Sequence, residues 1–110
     1  MTRIALVSVG LVLWAGAAFA QGNAAHGKQL FTDTKCGVCH SIGGTGNKKG
    51  PLDEVGSKLS ADDIRQWIVS APEMAAKAKA DRKPPMKAYA DLPKADVDDL
   101  VAYISTLKKK

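Results

Sequence analysis

At 110 residues, 45% of them hydrophobic, the sequence has the composition of a globular protein and the length of one domain, with no sign of a second. Its formal net charge of +5, from 16 Lys and Arg against 11 Asp and Glu, comes with no aromatic residues interleaved among the lysines, which argues against nucleic acid as a partner. Two cysteines in so short a chain need a reason.

The first twenty residues differ in kind from the rest. Arg3 gives a positive start, Ile4 to Trp14 is almost wholly apolar, and Ala18-Phe19-Ala20 is a small-residue cleavage signature. This pattern predicts a secretory signal peptide over residues 1–20. The apolar run is far shorter than the roughly 20 residues a membrane span needs, so the mature chain is expected to hold no transmembrane segment. Cleavage after Ala20 leaves a periplasmic domain over residues 21–110, with a net charge of +4 once Arg3 is gone. Domains that small lean on a cofactor, a metal or a disulfide for stability.

Asn23 is a good N-cap, and Ala24 to Thr34 is predicted to form a helix with Leu30 and Phe31 as its apolar contacts. It leads into Cys36-Gly37-Val38-Cys39-His40, a C-x-x-C-H sequence of the kind that attaches a c-type haem. Each thiol adds across one vinyl group, and the spacer lets both sulfurs reach adjacent edges of one ring. His40 is then brought to the ring face, where its imidazole coordinates iron. The alternatives are weaker. Zinc usually takes four ligands, and only His26 remains to help. A thioredoxin-like pair sits in a βαβ setting, for which there is almost no strand signal. A plain disulfide leaves His40 unexplained.

Ser41 to Gly50 is rich in Gly, Ser, Thr and Lys without periodicity, which predicts a loop closed by Gly50-Pro51. Ser60 with Asp63 makes a capping-box-like start for a helix over Ala61 to Ser70, with Ile64, Trp67 and Ile68 on its buried face. A short helix is expected over Glu73 to Ala80, after which Lys83-Pro84-Pro85 forces extended backbone. Pro93 suits the first position of a final helix, in which Val97, Leu100, Val101, Ile104 and Leu107 follow the i, i+3, i+4, i+7 rule.

From Asn23 onward the sequence resembles a class I cytochrome c of the small bacterial monohaem type. The likeness rests on the Cys36 to His40 motif, Gly50-Pro51, Met86 in Pro-Pro-Met-Lys-Ala-Tyr, and a last helix ending in Tyr103-Ile104-Ser105-Thr106-Leu107. It implies an all-α, small cytochrome c-like helical fold wrapped around one covalently attached haem c, with Cys36, Cys39, His40, Pro51, Trp67 and Met86 as its cofactor-binding residues. Gly27 would permit a close crossing of the first and last helices, against the plainer reading of a tolerated helix glycine. The Pro51 carbonyl would accept the second ring N–H of His40, and the Trp67 indole would donate to a haem propionate or simply pack in the core.

Met74, Met86 and His26 are the side chains available for iron's sixth position. Met86, in its stiff Pro-Pro setting, is the expected ligand with His40, while Met74 reads as a helix or core residue and His26 as a surface one. The function implied is a periplasmic single-electron carrier without catalytic residues. The alternative is a haem-based ligand sensor or peroxidase-like protein with a labile sixth ligand. Expected partners are a periplasmic dehydrogenase or reductase and a terminal oxidase, met by a monomer through Lys35, Lys48, Lys49, Lys77, Lys79, Lys83 and Lys87 at the haem edge.

Overall fold

The computed structural model describes residues 22–109, so the expected signal peptide lies outside the described residues. The first helix, α1, spans Ala24–Asp33, and the Asn23 side chain caps it by accepting the His26 backbone N–H at 3.1 Å. Thr34 is its C-cap, one residue earlier than the sequence suggests. Lys35 then adopts a left-handed conformation, φ 61°, and turns the chain into a 3₁₀ turn over Cys36–Val38.

The segment after His40 is more regular than expected. Ser41–Ile42 (β1) pairs antiparallel with Thr45–Gly46 (β2), around a turn at Gly43 and Gly44 with φ of 58° and 80°. Two successive positive φ values are what a tight hairpin demands, and Gly-Gly supplies them without strain. A helix the sequence reading missed, α2, covers Val55–Lys58.

Helix α3 spans Ala61–Val69, and Ser60 Oγ accepts the Asp63 N–H at 3.1 Å, half of the expected capping box. The next helix, α4, covers Ala71–Ala78 and so begins before Glu73. Pro72 explains the early start, because a proline in the first turn lacks only an N–H that would have no helical partner there. The last helix, α5, spans Lys94–Ser105, with Pro93 just outside it as N-cap.

The core forms where α1 and α3 pack on α5. Phe31, Ile64, Ile68, Val97, Leu100, Val101 and Ile104 make one buried cluster, with Leu107 half-buried at its margin. Phe31 and Tyr103 meet edge to face across α1 and α5, with ring centroids 6.1 Å apart. Gly27 permits that crossing, since a Cβ there would overlap the backbone carbonyl of Asp99. Arg65 on α3 reaches Asp98 on α5 at 2.6 Å. Beyond α5 the chain is tied to α2, where Gly56 N–H donates to the Leu107 carbonyl at 2.7 Å and Lys109 N–H to Ser57 Oγ at 2.8 Å. Among the described residues no helix is long and apolar enough to cross a membrane.

Candidate functional site

A cavity of about 220 Å³ opens beside this core, with walls that are almost entirely apolar. Cys36 and His40 line it from the segment after α1, Trp67 and Ile68 from α3, and Met86 and Tyr89 from the segment after α4. The remaining expected residues are not on this wall. Cys39 is half-buried but does not line the cavity, and Pro51 is exposed. Met74 is half-buried on α4, away from the lining. His26 lies on the exposed side of α1 with Nδ1 2.6 Å from Asp99 Oδ2.

The orientation of His40 follows from one hydrogen bond. Its Nδ1 lies 3.0 Å from the Gly50 carbonyl oxygen, and because a carbonyl only accepts, Nδ1 carries the proton and Nε2 keeps a free lone pair. The acceptor is thus Gly50, one residue before the Pro51 that the sequence reading expected. A parallel bridge between Ser41 and Pro51 explains the difference. Gly50 O accepts the Ser41 N–H at 3.0 Å and Leu52 N–H donates to Ser41 O at 2.9 Å, so this register turns the groups on either side of Pro51 toward Ser41. Neighbouring carbonyls along extended backbone point to opposite sides, which leaves the Pro51 carbonyl facing elsewhere.

Electrostatics keep the wall uncharged. Burial pushes the Cys36 thiol up to about 11, so it stays a neutral thiol. Burial also lowers the proton affinity of His40; the Gly50 carbonyl opposes that and the nearby Arg82 charge adds to it. The neutral imidazole that results is the form that binds a metal. No disulfide joins Cys36 and Cys39 in this structure.

Sequence reasoning missed Leu52, Val55 and Leu59, which wall the cavity from around α2. Their spacing of three and four was the available signal. Arg82 was missed as well, and no motif pointed to it.

Residues 24–108 match the sequence model of the family described as Cytochrome c. The chain belongs to the cytochrome c family. It is also 30% identical over 91 residues to cytochrome c oxidase subunit 2 of Alkalihalophilus pseudofirmus, a match covering 74% of this chain and 25% of that protein. The chain therefore spans about a quarter of the length of this relative. No solved structure matches it. As a class I c-type cytochrome it carries haem c covalently, with Cys36 and Cys39 spaced as the attachment motif requires. The residues of the cavity fit that group: a neutral thiol, an imidazole with Nε2 free and apolar walls stand together.

Proposed function

We propose that this cytochrome is a periplasmic, monomeric one-electron carrier in which His40 and Met86 are the axial iron ligands and no residue is catalytic. The observation that carries the reading is that a single apolar cavity has Cys36, His40 and Met86 on its wall, whereas Met74 and His26 are absent from it. When bound, haem c supplies a one-electron Fe(III)/Fe(II) couple.

The chain supplies the rest. His40 offers Nε2 in a fixed orientation, since Gly50 holds Nδ1. Met86 offers a soft, neutral sulfur, which favours Fe(II) and raises the potential. Trp67 lines the cavity, where its indole N–H would be a donor for a haem propionate, and the aliphatic wall would exclude water. With His40 and Met86 both holding iron, no position would be left on it for a substrate. The partners are a dehydrogenase or reductase upstream and a terminal oxidase downstream, and similarity to a cytochrome c oxidase subunit 2 supports the downstream assignment.

The ligand assignment is tested by near-infrared absorption and potentiometry on the ferric holoprotein. Met86→Ala should abolish the weak thioether-to-iron band and lower the potential, and Met74→Ala should leave both unchanged. Loss of the band in Met74→Ala alone would move the ligand to Met74. A wild-type protein without the band that binds added ligands at neutral pH would instead favour the sensor or peroxidase-like reading.

A further inference from the structure

The segment that brings Met86 to the cavity is held by its backbone only at the two ends. Ala80 N–H donates to Ala75 O at 2.9 Å, closing α4, and Tyr89 N–H donates to Ile68 O at 2.7 Å, pinning the chain to α3. Among the described residues, positions 81–88 make no backbone hydrogen bond between these anchors. Pro84 and Pro85 have no N–H to offer. Stiff prolines limit the shapes this segment takes, but they do not fasten it to anything.

One side chain from this stretch reaches the opposite wall. The Arg82 guanidinium lies over Gly50, where a Cβ would overlap Arg82 Nη1 and the Cys39 carbonyl oxygen and would stand 3.0 Å from Arg82 Cζ. Gly50 is the residue whose carbonyl holds His40. Arg82 makes no ion pair with a carboxylate among the described residues; the ion pairs there engage Arg65, Lys94 and His26. Its planar guanidinium packs against the Gly50 backbone on the His40 side, in the flat space that the absence of a side chain at Gly50 leaves.

We propose that Arg82 is a strap that fastens the Met86 segment to the Gly50 backbone and so sets how often Met86 leaves the cavity. The part concerning Met86 rests on its reading as the sixth ligand; the strap itself does not. Arg82 is a positioning residue, four places before Met86, and acts from the rim rather than on iron. It is exposed, so its replacement should leave the core folded.

Two readouts on the holoprotein separate the strap from the ligand. The first is the rate at which a lysine-specific protease cuts between Lys87 and Ala88, which reports local opening of the segment. Arg82→Gln should raise it by about fivefold or more, equal to ~1 kcal/mol of lost closure. Arg82→Lys keeps the charge but loses the planar fork, and it should behave like the Gln variant when the same Lys87 product is followed. An unchanged rate in Arg82→Gln overturns the strap, and a Lys variant that behaves like wild type overturns the role of the planar group packed on Gly50.

The second readout is the association rate of imidazole with ferric iron. Arg82→Gln should speed it by a similar factor, and Met86→Ala should speed it further and make it insensitive to Arg82. If protease opening rises while imidazole binding ignores both substitutions, the strap stands and Met86 is not the ligand it guards.

Discussion

Asp99 makes three contacts at one spot: Oδ1 takes the Asn23 N–H at 2.6 Å, Oδ2 takes the His26 ring at 2.6 Å, and its backbone carbonyl lies against Gly27. The bond to Asp99 raises the pKa of His26 above its ordinary 6.5, with Asp96 and Asp33 adding to the effect. The same bond holds Asp99 below 3.8. A raised histidine contributes fully below its unfolded value and loses that contribution as pH rises through its folded value. A depressed carboxylate contributes above its unfolded value and loses it as pH falls through its folded value. The pair therefore stabilises most between the two ordinary values, 3.8 and 6.5. The difference in urea midpoint between wild type and His26→Gln should peak in that window, shrink on either side of it, and narrow in high salt because the pair is exposed. A difference that is flat with pH would mean that the bond does not form in solution. His26 shows where single-residue roles are legible. Its surface position on α1 could be read from the sequence, but its partner 73 positions away could not. Gly50 in place of Pro51 was hidden for a related reason, since the register of one isolated bridge decides which carbonyl meets His40.

Helices with a long apolar period were readable because burial writes them into the sequence. The stripe of α5 matches the buried set Val97, Leu100, Val101 and Ile104. Helix α2 has four residues, too few to show a period, and its place is set by contacts beyond α5. The α1–α5 crossing offers a test at this scale. Gly27→Ala would gain about 1 kcal/mol of helix propensity if nothing opposed it. Here the new Cβ would overlap the Asp99 backbone of α5, which has no rotamer to change, and such overpacking costs typically 1–3 kcal/mol. Urea unfolding of the holoprotein should therefore show no gain and a net loss of up to ~2 kcal/mol. At Gly37 a Cβ would meet nothing within 4 Å, so Gly37→Ala should stay within about 0.5 kcal/mol of wild type. Equal stability for both variants would mean that the helices do not approach this closely.

For the molecule as a whole, the family was legible from the Cys36 to His40 motif with Gly50-Pro51, the Met86 stretch and the last helix, and the helical fold from four helix patterns, whereas the charge distribution gained meaning only with the cavity in place. Lys87 Nζ stands 5.7 Å from the centre of the Tyr89 ring, and Tyr89 lines the cavity, so this lysine sits at the rim. Lys83 lies on the same exposed segment, and Lys108 and Lys109 lie beyond α5. A positive field at the rim should speed encounter with an anion and fade as salt screens it. Stopped-flow oxidation by hexacyanoferrate is expected to slow with ionic strength. Lys83→Glu with Lys87→Glu should slow it at low salt more than Lys108→Glu with Lys109→Glu. Equal slowing by both pairs would assign the lysines to solubility alone.

The shared Gly50 carbonyl bears on how cheaply this cytochrome changes oxidation state. One lone pair of that oxygen takes the His40 ring and the other takes the N–H of Ser41, a residue only 2% exposed. An acceptor used twice, on half-buried backbone paired with the buried Ser41, leaves the imidazole little freedom to swing or slide. With His40 on iron, its ring would keep the same place in both oxidation states, so this side of the centre would add little to the reorganisation. A small reorganisation energy, fixed by the backbone before any partner arrives, is what a fast electron relay requires.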